Sequence, residues 1–479
     1  MPPPRRGARR RTAAAAAAAK SPRASRRLSV RRGEPFKRES RGGGGAAAAG
    51  DDDGLPLDDE SLLLVFSALA ATVADLVRCA ATCRRWRRLV SADAAFICRR
   101  APPRLADPFV RSLVLGFLHW RTDAAAAAPP RFVPLSPAGA RLQPSLSALA
   151  GGASRVVASR NGRLVLDLRR RASARATHAV RLGVCNPVTA GGRGGVDVLP
   201  PLRGRDGPTG PYACTVVTAA DEHGGGEDRR ASHSQHDSYR VLLLYNRRSF
   251  TALRCYSSDA GSWGPEAAVT GARIGRSQLA VGPHAAVVRH GVVFWPRLAI
   301  ALRLDSLQQQ PPAVPAARSK GKTPPPRHAV AGFSPAARHR PSSQAAERLL
   351  GVTPDGRMLR VEADTETIRA YCGGDGDGDG GDIRGASASL TGEKLEWKWT
   401  MKQALMKVHT VRLRWLCEKS GLVVFTARNG GDLDTHVYTV DVETKQFRRV
   451  ATCSGEPASL GEMCGYEMDR VTLLASLGR

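Results

Sequence analysis

Hydrophobic and polar positions divide this chain into three stretches with different rhythms. In residues 1–50, "MPPPRRGARRRTAAAAAAAKSPRASRRLSVRRGEPFKRESRGGGGAAAAG", large apolar side chains are nearly absent, so nothing offsets the entropy of ordering the chain and a disordered tail is expected. Residues 51–100 switch to a helical period. Leu62, Val65, Phe66 and Leu69 fall at i, i+3, i+4 and i+7 behind the acidic run "DDDGLPLDDE", which suits the positive end of a helix dipole. A second helix is expected from Asp75, with Leu76, Cys79, Ala80, Cys83 and Trp86 repeating the spacing. Arg84, Arg85, Arg87 and Arg88 would then crowd its C-terminal end, where cations oppose the dipole favourably. A third short helix is expected over "ADAAFICRRA". A three-helix unit of about fifty residues buries little by itself, so part of its apolar surface calls for a partner.

From about residue 110 the pattern becomes that of strands, short apolar runs separated by Gly, Asn, Asp and Pro turns. "VVASRNGRLVLDL" reads as a hairpin around Asn161-Gly162, and "LLGVTPDGRMLRVEAD" as another around Asp355-Gly356. "YRVLLLYN", "AAVVRHGVVFWPRLAIALRLD", "RWLCEKSGLVVFTARN" and "VYTVDVETKQFRRVA" add further strands. Three stretches lack the alternation and read as disordered loops: 223–237, 308–344 and 372–389. Removing them leaves roughly 290 residues of β-rich chain, enough at about 40–45 residues per blade for six or seven propeller blades. A large β-sandwich fits the same pattern.

Charge changes this picture less than its size suggests. The formal net charge is +29, which invites a nucleic-acid partner. Residues 1–42 carry +12 of it, and the other +17 is spread thinly over the rest. Ala, Arg, Gly and Pro are all over-used, as a GC-rich gene would produce. No later stretch interleaves basic and aromatic residues as a stacking platform needs, so nucleic acid is not the expected partner. The basic tail reads equally as a nuclear-import patch, a transit peptide or a plain solvated tail.

Candidate chemistry is sparse. The ten cysteines are scattered, with no CxxC pair and no zinc spacing, which points to a reducing compartment such as nucleus or cytoplasm. Cys79 and Cys83 lie one turn apart, but no further ligand arrives, so core packing explains them and no metal is expected. "DGDGDGGD" places Asp375, Asp377, Asp379 and Gly380 like a calcium loop, yet the position that must supply a bidentate Glu is Ala386. "HGGG" at 223–226 has no GxSxG to serve. No nucleotide fingerprint is present, so no cofactor is expected. The longest apolar run, "LLLVFSALAATVADLV", is interrupted by Asp75 and too short to cross a bilayer. Trp397 and Trp399 share one face of "LEWKWTMK", a partner patch if exposed and core if not.

Taken together, "LPLDDESLLLVFSAL" and "DLVRCAATCRRWRRLVSADAAFICRR" resemble an F-box. "VCNPVT", "LPPL", "CYSSDAGSWG" and "HGVVFWP" resemble the β-rich C-terminal region of plant F-box proteins. Two spacings depart from the family pattern: Leu55-Pro56 stands about two residues further from Phe66 than usual, so Leu57-Asp58 competes for that place, and the turn between Leu69 and Asp75 is long. The resemblance implies an α+β multidomain chain. It would have a disordered basic tail (1–50), an F-box (51–100) and an all-β, propeller-like substrate-recognition domain (101–479). It implies a non-catalytic substrate receptor of an SCF-type (Skp–cullin–F-box) ubiquitin ligase, binding a Skp adaptor, through it a cullin, and an unidentified target protein. The residues it places against the adaptor are Leu55, Pro56, Leu62, Val65, Phe66, Leu76, Cys83, Trp86 and Leu89. Two rival readings predict different structures. A nucleic-acid-associated protein needs its arginines in one contiguous patch, and a propeller-fold enzyme needs titratable residues clustered at one mouth of the central channel.

Overall fold

The structure is a computed structural model that describes residues 56–99 and, with gaps, 113–478. The first fifty residues and most of the three low-complexity loops lie outside the described residues, as does the calcium-like run. The fold class expected from sequence is the one observed: a short helical unit followed by an all-β, six-bladed propeller.

The helical unit holds four helices rather than three: α1 Asp59–Leu69, α2 Val73–Thr82, α3 Arg84–Ala92 and α4 Ala94–Arg99. The single helix expected from Asp75 through Arg88 breaks at Cys83, whose backbone is extended (φ −149°, ψ 167°). Its sulfur accepts the N–H of Trp86 at 3.4 Å, capping α3 as a serine would. Thr82 satisfies the end of α2 by donating its hydroxyl to the Cys79 carbonyl. The break reverses the dipole reading of the arginines. They occupy the first turns of α3, where the dipole repels cations. Asp59 of α1 offsets this, 2.9 Å from Arg85 and 3.7 Å from Arg88.

Six sheets follow, antiparallel apart from one short parallel pairing in the third. The first blade holds β1 Val114–His119 and β2 Arg131–Pro134; the second β3 Arg155–Arg160, β4 Arg163–Asp167, β5 Leu182–Cys185 and β6 Asp197–Val198. The third holds β7 Tyr212–Thr218, β8 Tyr239–Asn246, β9 Thr251–Ser257, β10 Ser262–Trp263 and β11 Ala267–Val269. After α5 (Arg276–Ala280), the fourth holds β12 Val287–Arg289, β13 Val292–Trp295 and β14 Ile300–Arg303, then α6 (Asp305–Gln308). Within the stretch expected to be a loop, β15 (Arg327–His328) adds in parallel to β11 of the third blade. The fifth blade holds β16 Glu347–Val352, β17 Met358–Ala363, β18 Thr367–Cys372 and β19 Lys394–Thr400; the sixth β20 Val408–Leu416, β21 Leu422–Asn429, β22 Asp434–Asp441 and β23 Phe447–Ser454. The hairpin at Asn161-Gly162 forms where the sequence places it, with both turn residues at positive φ (47° and 72°), the requirement of a tight two-residue turn.

The ring closes through the end of the chain. β24 (Met463–Glu467) returns to pair with β1, aligning Gly465 with Phe117 and Cys464 with Leu118. It thereby becomes the innermost strand of the first blade, packing against β3 on one side and β20 on the other. Gly465 is required there. A Cβ at that position would lie 2.2 Å from the Trp415 indole. The hydrophobic core is divided into one cluster per blade interface. Val165 packs with Val241, Leu244 with Trp295, Phe294 with Met358, Leu359 with Phe425, Trp415 with Phe117, and Leu118 with Leu164. Trp397 is buried in one of these clusters, and Trp399 stacks on Phe447 across blades five and six at 4.6 Å, so both tryptophans join blades together. Six sheets, each packed face to face with the next around a ring, exclude a two-sheet sandwich.

Past β24, Asp469 caps a last helix, α7 (Arg470–Ser476), by accepting the N–H of Thr472 at 2.9 Å. α7 packs on α2, α3 and α4. Leu474 is wholly buried among Leu62, Phe66, Leu76, Val90 and Ile97, with Val471, Leu473 and Leu477 beside it. Part of the apolar surface that the sequence assigns to a partner is therefore covered by the chain's own C-terminal helix.

Candidate functional site

The unit formed by α1–α4 and α7 leaves one apolar face open. Around α1, Leu62, Phe66 and Ala70 turn inward, while Ser61, Leu64, Val65 and Ala68 lie on the opposite side. Leu64 is 51% exposed, Val65 46%, Leu57 41% and, on α4, Phe96 37%; four of the six large exposed hydrophobic residues of the described chain belong to this unit. The segment leading into α1 is held in place. Asp58 accepts the N–H of Ser61 at 2.8 Å, and these hydrogen bonds keep its carboxyl below the usual range. Arg85 of α3 reaches back 2.6 Å to the Leu57 carbonyl and 2.9 Å to the Asp59 carboxylate. The sequence pattern places Arg85 at the C-terminal end of a helix and assigns it no partner. Its bracing role was invisible because it depends on a contact 28 residues away.

The nine residues assigned to the adaptor divide by placement. Leu62, Phe66, Leu76 and Leu89 are enclosed within the helical core. Pro56 and Val65 are exposed, Cys83 and Trp86 half-buried, and Leu55 lies outside the described residues. Trp86 sits edge-on to Phe66 at 5.4 Å. Phe66 and Leu76 are closed off in the helical core, and of the three only Trp86 keeps part of its surface accessible. The accessible apolar surface lies on α1 and just before it: Val65 is among the residues assigned from sequence and Leu57 is the alternative to Leu55-Pro56, while Leu64 was missed, although the helical wheel of α1 could have supplied it.

The second feature is the propeller axis. A cavity of about 870 Å³, counted with its open mouth, is lined by the inner strands β3, β7, β12, β16, β20 and β24. At the end nearest α7, Arg160 of β3 pairs with Asp221, which follows β7, at 2.5 Å, and with Glu418, which follows β20. Asn161 donates to Thr218 and Asp221 beside them. Burial would raise the Asp221 pKa, but the Arg160 charge and hydrogen bonds hold it down. Glu467, the last residue of β24, accepts the N–H groups of Lys419 and Ser420. Burial outweighs those bonds and lifts its carboxyl to about 7. No cluster of His, Cys, Asp or Glu suited to a metal occurs among the described residues, and no described helix is long and apolar enough to cross a membrane.

Solved structures that resemble the chain include a structural-genomics protein from Lactobacillus plantarum, with 10% identity over 73% of this chain and 98% of that one at a TM-score of 0.30. Prolyl oligopeptidase B from Galerina marginata matches at 9% identity and a TM-score of 0.27, over 61% of this chain and 33% of the peptidase, so the likeness spans about a third of that enzyme. Scores this low say nothing about function. No curated protein matches. Residues 56–99 match the F-box-like family, whose domains generally bind Skp-type adaptors.

Proposed function

We propose that this chain is a substrate receptor of an SCF-type ubiquitin ligase. The helical unit docks on a Skp-type adaptor and, through it, a cullin; the propeller holds the target protein; the chain performs no chemistry of its own. The observation that carries this reading is an F-box-like domain fused to a six-bladed propeller, with an apolar face left open on its first helix. Leu57, Leu64 and Val65 supply the apolar centre that a standard protein interface requires, and Pro56 and Trp86 flank it. Leu62, Phe66, Leu76 and Leu89 act indirectly by fixing the helices beneath. The ligase would work by proximity: holding a target lysine near a charged ubiquitin enzyme raises its effective concentration.

The arginines of the helical unit speak against the nucleic-acid reading. Arg85 is bound to Asp59 and the Leu57 carbonyl, Arg87 donates to the Ala80 carbonyl at 3.1 Å, and Arg78 pairs with Asp75 at 2.5 Å. These are ties within the fold, unlike the loose phosphate-facing stripe that reading needs.

The propeller-enzyme reading does find a titratable cluster at one channel mouth. Its parts behave as a brace. Arg160 joins blades two, three and six through Asp221 and Glu418, and Glu467 is engaged by backbone N–H groups. Mixing the purified chain with a recombinant Skp-type adaptor and a cullin, then separating by size, tests the receptor reading: co-elution of all three is expected, and a chain that elutes alone contradicts it.

A further inference from the structure

Strand direction sorts the propeller loops onto two ends. The β3–β4 turn meets the helical side, where the Gly162 N–H donates to the Glu467 carbonyl at 2.9 Å. β4 runs away from it, so Asp167, which ends β4, and its partner Leu182, which opens β5, stand at the opposite end. Tyr212 opens β7 at that same end, since its hydroxyl reaches Asp167 at 2.7 Å. β8 returns antiparallel and aligns Tyr245 with Tyr212, which places the β8–β9 turn there too.

Four segments of blades two and three meet at this end and carry six exposed arginines. They are Arg181 before β5, Arg203 and Arg205 between β6 and β7, Arg248 in the β8–β9 turn, and Arg273 and Arg276 after β11. Hydrogen bonds join the segments into one surface. Val180 and Leu202 form a bridge. Arg247 donates to the carbonyls of Arg205 and Gly207, and Asn246 donates to the Ile274 carbonyl at 2.8 Å. Two acids stand beside them and both are engaged: Glu266 by Arg247 at 2.9 Å, and Asp206 by Arg254 at 2.9 Å. Among the described residues, none of the six exposed arginine side chains has a hydrogen-bond or ion-pair partner.

Like charges held side by side on tied loops build a positive potential that an anionic partner relieves. Phe250 and Trp263, the aromatic residues beside these arginines, pack against the blade core, which leaves no platform for stacking bases. A single phosphate offers three acceptor oxygens. Six guanidinium groups on four segments match carboxylates strung along a chain instead.

We propose that this surface docks an aspartate- and glutamate-rich segment of the target protein. That the segment belongs to a target rests on the receptor reading; its binding to this surface does not.

Fluorescence anisotropy on the full chain tests it with four labelled probes: an Asp/Glu-rich dodecapeptide, the same peptide with every acid replaced by its amide, a neutral peptide bearing one phosphoserine, and a short DNA strand. The acidic peptide is expected to bind at low salt and to weaken as added salt screens exposed charges, and the amide peptide is expected not to bind. A variant combining Arg181→Gln, Arg203→Gln, Arg205→Gln and Arg248→Gln changes only exposed positions, so it should melt as the wild type does. It should bind the acidic peptide about tenfold more weakly or worse. Removing four arginines from the basic tail instead (Arg5→Gln, Arg6→Gln, Arg9→Gln and Arg10→Gln) should leave that affinity within about twofold, which separates this surface from bulk charge. Any of four results overturns the proposal: no binding of the acidic peptide up to about 1 mM; a loop variant that binds it as the wild type does; a tail variant that loses as much as the loop variant; or a loop variant that impairs the phosphoserine peptide or the DNA more than the acidic peptide. Adaptor co-elution is read separately. A chain that binds the acidic peptide through these arginines but not the adaptor supports the surface and contradicts the receptor reading alone.

Discussion

Nη1 of Arg470, nine residues before the end of the chain, lies 3.0 Å from the carbonyl oxygen of Ala70, which closes the first helix. The same guanidinium also donates to the Cys98 carbonyl at the end of α4. Two helix ends of the N-terminal unit are thus satisfied by one side chain from α7, and Leu474 fills the space between those helices. The F-box-like unit is completed in cis. Leu474→Ala should cost about 2–5 kcal/mol, the range for emptying a tightly packed leucine site. Arg470→Ala should add faster proteolysis within residues 56–99. Differential scanning calorimetry and limited digestion check both. A unit that melts and cleaves as the wild type does would show that α7 is dispensable.

Glu467 predicts a pH dependence with a definite sign. Its carboxyl is lifted from 4.5 to about 7 in the folded chain, chiefly by burial. Between those values the folded state keeps a proton that the unfolded state has released, so stability falls as pH rises through this window and levels off above about 7. Glu467→Gln retains an acceptor for Lys419 and Ser420 but cannot ionise. Its melting temperature relative to wild type should climb between about pH 4.5 and 7 and then stay constant. Parallel melting curves across that range would reveal a flat difference if Glu467 does not titrate there.

Asp167 holds the second blade to the third. Its carboxylate is buried, pairs with Arg169 at 2.6 Å and accepts the Tyr212 hydroxyl at 2.7 Å. Burial alone would raise its pKa, but the Arg169 hydrogen bonds win and lower it. Arg155 also lies 3.5 Å from this carboxylate. Asp167→Ala strands the buried Tyr212 hydroxyl while the partly exposed Arg169 stays solvated, and should cost about 1–3 kcal/mol, the usual penalty for a buried donor left unsatisfied. Urea denaturation measures this directly.

Cys83 acts as a cap. Cys83→Ser should hold or improve stability, because a serine oxygen is the better acceptor at that position, while Cys83→Ala should lose about 1 kcal/mol. Equal melting temperatures for the two variants would remove the capping role.

The strands were legible because each blade is a local object. Asn161-Gly162 and Asp355-Gly356 mark turns whose flanking runs alternate within ten residues of each other, and β3–β4 and β16–β17 form there. The helical pattern was legible too, but Cys83 falls in phase with the apolar stripe, so its extended backbone left no trace in the periodicity. What the sequence concealed depends on distant partners. β24 pairs with β1 some 350 residues earlier, and α7 fills the space that the helical unit's own residues leave open. A reading that saw only residues 51–100 assigned that space to another protein. The brace of Arg160, Asp221 and Glu418 was hidden for the same reason, since its members come from three blades.

Adaptor affinity measured on α1 surface variants bears most directly on the central claim. Leu64→Glu and Val65→Glu change exposed positions, so folding should shift by no more than about 0.5 kcal/mol. If the open face of α1 is where a Skp-type adaptor docks, the double variant should lose about 30-fold or more in affinity, the mark of a buried apolar anchor replaced by charge. A folded double variant that binds the adaptor as tightly as the wild type would contradict the account.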